Sequence, residues 1–212
     1  MNVTLSNQKE VTMLERRILF GAIIGLGLLT GGARAQSVEP AGLRMNEPGP
    51  ENEAMAKRVG LWDLTETVWE RPGAPPIVTT NLVAERRMIG TMFQEILRPA
   101  DDPVNGKVRR IDYLHFNRVE GRWDYVSMDM SAPVGIMSAW SFDRGENARI
   151  DITFAPFSVP GPAAEVTGQM LRMTQTITYG QPDQDVKDQY FLLADGTGTK
   201  WLAHRYEYKR RK

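Results

Sequence analysis

Cysteine is absent from the 212 residues of the chain. This absence excludes disulfide frameworks, thiolate metal sites, cysteine nucleophiles and a lipidated N-terminal cysteine. Histidine is scarce, since His115 and His204 are the only two, and no HxH or HExxH spacing is present. We therefore expect no metal site. No Gly-x-Ser-x-Gly element occurs either, and we assign no catalytic residue.

An excess of either charge is also lacking, because Lys and Arg total 26 and Asp and Glu total 26. Balanced charge favours neither nucleic acid nor an anionic membrane as a partner. Long apolar runs are missing too. The main run covers residues 18–29 and is interrupted by three glycines, whereas a spanning helix needs roughly 20 apolar residues. We expect no stable membrane span once this segment is removed.

The first 35 residues are predicted to be an N-terminal extension followed by a secretory signal peptide. Arg16 and Arg17 precede the apolar run, and Ala33-Arg34-Ala35 follows it as a small-x-small cleavage site. A retained membrane anchor is the alternative interpretation. We expect cleavage after Ala35 and a periplasmic or secreted protein, with a flexible, proline-containing linker over 36–50 and one folded domain over 51–212.

The folded domain is predicted to be all-β after one short helix. Residues 51–58 carry acidic side chains first and basic ones last, an order that complements a helix dipole. From Gly60 onward, alternating apolar segments are separated by turn residues, and the clearest is a hairpin over 108–130 with its turn at 119–121. We predict a single antiparallel up-and-down barrel of about ten strands, because closing the meander leaves no exposed strand edge.

The residues Gly60-Leu61-Trp62, after a short helix, resemble the Gly-x-Trp opening of lipocalins and related calycin barrels. The resemblance implies that Trp62 plugs the closed end of the barrel and that a basic residue of the last strand packs across it. Arg205 is the expected partner, with Arg210 as a second choice.

Over most of 51–212 the chain resembles the DUF1579-type family of bacterial proteins of uncharacterised function. The similar motifs are the Gly-x-Trp start, the Pro-rich loop 72–76, the aromatic-rich strand that follows Gly90, the hairpin 116–123 and an aromatic-basic C-terminus. This resemblance implies a barrel fold and no established catalytic residues.

The two histidines lie in predicted strands. If charged residues face water, His204 points into the barrel beside Leu202 and Tyr206. An inward histidine near the C-terminus of a small barrel resembles the haem-ligating arrangement of nitrobindin-like barrels, which implies haem as an alternative cofactor. A core histidine bonded to a neighbouring tyrosine is the other interpretation. The predicted cavity-wall residues are Tyr113, His115, Trp140, His204 and Tyr206.

The function that this pattern favours is an exported, non-catalytic barrel that binds a small apolar or amphipathic ligand, without a cofactor. Two alternatives remain open. One is a barrel that binds haem or transforms a small molecule at His204. The other is a packed barrel that acts through its surface without a ligand. The sequence does not determine the oligomeric state.

Overall fold

The computed structural model describes residues 41–45, 47–132, 134–158 and 168–212. The predicted signal peptide and cleavage site lie outside these residues. Within the predicted linker, a short helix α1 covers Ala41–Met45. None of the helices in the described part of the chain is long and apolar enough to cross a membrane.

A second helix, α2, covers Pro50–Ala56 and precedes the strands, as predicted; it lies well inside the chain and not at its N-terminus. The described residues form eleven strands and one short 3-10 helix, Glu146–Ala148. The strands are β1 (Gly60–Val68), β2 (Ile77–Ile89), β3 (Met92–Pro99), β4 (Arg110–Asn117), β5 (Arg122–Asp129), β6 (Ile136–Ser141), β7 (Arg149–Phe154), β8 (Phe157–Ser158), β9 (Met170–Gln181), β10 (Gln184–Leu193) and β11 (Lys200–Arg210).

Ten of these strands close into one antiparallel barrel, which confirms the predicted fold class. Neighbours in sequence pair from β1 to β7, β7 pairs with β9, and β9 continues through β10 to β11. The ring closes where β11 pairs with β1, with Trp62 opposite Arg210. The two-residue strand β8 lies outside this ring and pairs with the start of β9. Closure leaves the ten long strands without a free edge.

The β4–β5 hairpin shows how local sequence produces this meander. Gly121 adopts φ of 67°, a left-handed conformation that glycine allows, and its N–H donates to the Asn117 carbonyl at 2.8 Å. The Asn117 side-chain oxygen also accepts from the backbone N–H groups of Val119 and Glu120, both at 3.1 Å. The turn is the one that the sequence predicts, and it sets the register in which β4 and β5 pair.

The start of β10 differs from the sequence prediction. The sequence predicts a strand over 189–194 preceded by a polar connection, whereas β10 starts at Gln184 and pairs with β9 from there onward. Its polar residues Asp185, Lys187 and Gln189 are buried and alternate with more exposed ones. These side chains find charged or polar partners inside the barrel, so a polar segment forms a full strand.

Helix α2 covers the end of the barrel where β1 begins and β4 ends, which we call the closed end. Asn52 is buried there; its side-chain oxygen accepts from the Phe116 N–H at 3.0 Å, and its amide donates to the Phe116 carbonyl at 3.4 Å. The side chain thereby satisfies backbone groups at the end of β4.

Trp62 is completely buried at the closed end, and the structure corrects its predicted partner. Arg210 lies over the indole at 4.3 Å, and Arg86 lies over it at 4.6 Å. Arg205 instead pairs on the outer surface with Asp188, at 2.7 Å. Arg205 is out of place because the inward face of β11 near the closed end carries the even-numbered residues, Tyr206 and Tyr208. A Cβ at Gly60 would lie 3.2 Å from Arg210 Nη1, so glycine at this position makes room for the arginine.

Candidate functional site

A cavity of about 340 Å³ lies at the end of the barrel opposite α2, where β1 and β5 end. Its apolar wall includes Val68, Trp69, Met137, Phe157, Met173 and Phe191. Its polar floor consists of Arg110, Ser127, Gln189, His204 and Tyr206. The rim includes the acidic residues Glu70 and Asp129. The cavity therefore has one apolar side and one side rich in hydrogen-bonding groups.

A β-bulge in β11 places His204 in this floor. The register between β10 and β11 shifts so that Gln189 pairs with His204 while Tyr190 pairs with Leu202, which leaves Ala203 as the extra residue. Residues on both sides of the bulge can then face inward, and Ala203 and Tyr206 are both buried. The inward orientation of His204 agrees with the prediction. The expectation that Leu202 shares its face is wrong, because the bulge interrupts the alternation.

His204 is oriented by polar neighbours on two strands. Its Nδ1 lies 3.5 Å from Glu66 Oε1 and 3.2 Å from the Tyr206 hydroxyl oxygen. The imidazole stacks on the Tyr206 ring with centroids 5.8 Å apart. Burial by itself raises the pKa of Glu66, but the contact with His204 and the positive charge of Arg110 outweigh it and lower that pKa to about 2. Glu66 is therefore a carboxylate at neutral pH and an acceptor for His204.

A network of buried charges lies between the cavity floor and the closed end. Lys187 Nζ contacts Glu95 Oε1 at 2.7 Å and Asp112 Oδ2 at 3.2 Å. Arg86 Nε donates to Glu95 Oε2 at 2.7 Å, and its Nη1 pairs with Asp185. The Tyr208 hydroxyl donates to Glu95 Oε1 at 2.9 Å. We call these six residues, Arg86, Glu95, Asp112, Asp185, Lys187 and Tyr208, the interior charge network.

The network keeps Glu95 and Lys187 charged despite their burial. Burial favours the neutral form of Glu95, yet Lys187 and Arg86 hold the pKa of Glu95 well below its ordinary value. Burial likewise disfavours the ammonium of Lys187, but Glu95 raises the pKa of Lys187. A ring of paired charges in a low-dielectric interior resists rearrangement, because removing one partner leaves another charge unmatched.

No family model matches the chain, and no curated protein matches it. One solved structure with a detectable likeness is the crystal structure of Rv2717c from M. tuberculosis. The two chains are 14% identical with a TM-score of 0.46, and the alignment covers 78% of this chain and 100% of that chain. At this level the likeness carries no argument about this protein. Membership of the DUF1579-type family stays a prediction from the motifs.

Three of the five predicted wall residues lie on the outer face of the barrel. On β4 the buried residues are Arg110 and its alternate neighbours, so Tyr113 and His115 face outward. Trp140 is 37% exposed on the outer face of β6. The expected interior placement of Tyr113 and His115 is wrong because β4 turns its charged residues inward. The expected interior placement of Trp140 is wrong because β6 buries Ala139 and Ser141 instead. His204 and Tyr206 do line the cavity, and their role in binding stays a prediction.

The sequence prediction of the wall misses most lining residues of this site, among them the polar residues Arg110, Ser127 and Gln189, and it misses Glu66, which contacts His204. The available signal was in β4, where Arg110 and Asp112 share one face with Leu114 and Phe116. Leu114 and Phe116 are large apolar side chains whose burial is favourable. Because successive side chains of a strand point to opposite faces, Arg110 and Asp112 face inward together with them. Among the described residues, no group of three or more His, Asp or Glu side chains could hold a metal ion.

Proposed function

We propose that this barrel binds one small amphipathic molecule in the cavity opposite α2. The observation that supports the proposal is the cavity itself, which combines an apolar wall with a polar floor inside a closed barrel. A volume of about 340 Å³ falls at the small end of the range for small-molecule sites, roughly 300–1,000 Å³. The expected ligand is therefore small, with an apolar part against the wall and polar atoms at the floor.

The chemistry of the wall suits a ligand of variable shape. Met137 and Met173 are flexible and polarisable, and methionine adapts to irregular apolar surfaces. Phe157 and Phe191 lie edge to face with ring centroids 6.3 Å apart, which holds the aromatic part of the wall in place.

Export to the periplasm or the outside of the cell is part of the same proposal. It rests on the sequence of residues 13–35, which has the basic, apolar and small-residue order of a signal peptide. Similarity to the DUF1579-type family rests on the motifs alone. Together they describe a carrier of a small molecule outside the cytoplasm, without a catalytic step.

A neutral fluorescent probe, N-phenyl-1-naphthylamine, tests the cavity with the full chain. We expect saturable, one-site fluorescence enhancement, because an apolar probe gains by leaving water for the wall. Met137→Trp puts a large side chain into the cavity, and we expect it to weaken probe binding tenfold or more. Ser138→Trp is the matched control, because Ser138 is exposed on the opposite face of the same strand.

Equal binding by the wild type and Met137→Trp would place the probe elsewhere and contradict the proposal. So would the absence of any saturable signal in a folded wild-type chain. Circular dichroism of both variants excludes unfolding as the cause of weak binding.

Haem binding through His204 is a second candidate, and one observation favours it. His204 lines the cavity while its Nδ1 faces Glu66, and histidines that bind metals commonly have their second nitrogen oriented by a carboxylate. In this arrangement Nε2 is the nitrogen that would hold the haem iron. Bound haem supplies oxygen-binding or electron-transfer chemistry at its iron.

Titration of the full chain with hemin tests this candidate. If His204 is the ligand, a Soret band develops during the titration and is lost in His204→Ala. His115→Ala is the matched control, because His115 faces outward and its loss should not change the spectrum. If no Soret band develops when the wild type is titrated with hemin, the haem-binding candidate is wrong.

A further inference from the structure

The loop between β3 and β4 contains Asn105-Gly106, the one Asn-Gly dipeptide of the chain, and Asn105 is exposed there. Asparagine is a thermolabile residue, because the backbone nitrogen of the following residue attacks its side-chain amide. Glycine permits this attack most readily, since it has no side chain to hinder the approach and its backbone is the most flexible. Asn105 is therefore the asparagine of this sequence with the greatest intrinsic tendency to lose its amide group.

Asp102 holds this dipeptide in a turn through two hydrogen bonds. The Asn105 N–H donates to Asp102 Oδ1 at 2.9 Å, and the Gly106 N–H donates to the Asp102 carbonyl oxygen at 3.0 Å. The second bond occupies the nitrogen that would attack Asn105, and it stabilises that nitrogen in its protonated form. The closed turn therefore slows the reaction that the dipeptide favours.

Glycine at position 106 is a steric requirement of this turn. A Cβ there would clash with the Asp102 carbonyl oxygen, which belongs to the main chain and cannot rotate away. The close approach that forms the Gly106 hydrogen bond thus also requires the residue that leaves Asn105 open to attack. The turn lies at the surface, and exposed loops open locally at a much smaller free energy than the whole fold.

We infer that Asn105 is a site of spontaneous deamidation and that opening of the Asp102 turn controls its rate. In the first step the Gly106 nitrogen forms a bond to Asn105 Cγ while the bond between Cγ and Nδ2 breaks. The Gly106 amide proton leaves with Nδ2 as ammonia, and a succinimide remains. Water then opens the succinimide and leaves aspartate or isoaspartate at position 105.

This modification changes the loop permanently. The succinimide nitrogen carries no hydrogen, so its bond to the Asp102 carbonyl oxygen is lost. In isoaspartate the main chain runs through the former side chain and is one atom longer, which is incompatible with the same turn. Either product adds a carboxylate close to Asp101 and Asp102, and like charges close together repel. Deamidation therefore loosens the loop that leads into β4.

Incubation of the full chain at mildly alkaline pH, followed by peptide mass spectrometry, measures the deamidated fraction of each asparagine over time. We expect Asn105 to deamidate at least tenfold faster than Asn147. The comparison is matched, because Asn147 is also exposed in a turn but is followed by Ala148. Equal rates at the two asparagines in the folded chain would overturn the assignment of the site.

Asp102→Ala tests the control by the turn, because it removes the acceptor of the Asn105 N–H. We expect this variant to deamidate at Asn105 threefold or more faster than the wild type. Asp101→Ala is the matched control, since it removes the same charge from the neighbouring residue and should leave the rate unchanged. Circular dichroism confirms that both variants are folded.

The same incubation in concentrated urea separates the turn from the local sequence. In urea the turn is open in all three chains, so we expect faster deamidation of the wild type and equal rates at Asn105 in the wild type and Asp102→Ala. If Asp102→Ala deamidates at the wild-type rate when folded, or if its faster rate persists in urea, the turn does not control the reaction.

Discussion

Lys187→Met lowers the free energy of unfolding by about 3–5 kcal/mol, the range expected when one partner of a buried ion pair is removed. Lys187, Glu95 and Asp112 are 4%, 1% and 2% exposed. The substitution leaves two buried carboxylates facing each other without the ammonium between them. Urea denaturation of the full chain, followed by tryptophan fluorescence and circular dichroism near neutral pH, measures the change.

The loss of unfolding free energy in Lys187→Met should become smaller as the pH falls. The pKa of Glu95 is held below its ordinary value of 4.5, so the stability that its charge contributes is present above that pH. This contribution is lost as the pH falls through the lowered pKa of the folded state. The difference in the free energy of unfolding between the wild type and Lys187→Met should therefore decrease as the pH falls below about 4.5.

Arg205→Met is the matched control for this experiment. It removes a cation that is 40% exposed and pairs with Asp188 on the outside of the neighbouring strand. Exposed ion pairs contribute about 0–1 kcal/mol. If the free energy of unfolding falls equally in the two variants, or by less than about 1 kcal/mol in Lys187→Met, the interior charge network does not stabilise the fold.

Trp62→Ala is expected to destabilise the barrel by about 3–5 kcal/mol, as large-to-small core substitutions do. The indole is 0% exposed, and Arg86 and Arg210 lie over it. Its Nε1 also donates to the Arg58 carbonyl at 3.0 Å, which ties the first strand to the residues that follow α2. The substitution opens a cavity and removes the aromatic surface against which two guanidinium groups pack.

Trp140→Ala removes a tryptophan of the same size from the outer face, where the side chain is 37% exposed. This substitution should lower the free energy of unfolding by less than about 1 kcal/mol, because exposed positions generally tolerate substitution. Thermal denaturation of both variants gives the comparison. A similar melting temperature for Trp62→Ala and the wild type would refute the role of Trp62 as the plug of the closed end.

The parts of the fold that the sequence predicts well are those with strong local signals. The hairpin turn at 119–121 is marked by Asn117 and Gly121, whose turn geometry depends on near neighbours alone. Gly60-Leu61-Trp62 marks the start of the first strand through its resemblance to the Gly-x-Trp opening of calycin barrels. Alternation of apolar and polar residues then places most strands, and a meander without crossover helices favours a closed antiparallel barrel.

Several errors of prediction arise from the charged interior. Tyr113 and His115 face outward because Arg110 and Asp112 occupy the inner face of β4, and the predicted connection before residue 189 contains the buried residues Asp185 and Lys187. In the structure, each buried charge is matched by another from a distant strand; Lys187, for example, contacts Glu95 at 2.7 Å. Such pairs join residues far apart in sequence, so a local pattern does not identify which charges meet.

The sequence by itself determined the fold class and the extent of most strands, because these depend on local turn chemistry and on a period of two. Only the tertiary structure decided which face of β4 is buried, that Arg210 and not Arg205 covers the plug, and that Arg110 lies in the floor of a cavity. Those features depend on strand pairing and on a bulge at Ala203, which bring together charges whose burial is favourable only when all partners are in place.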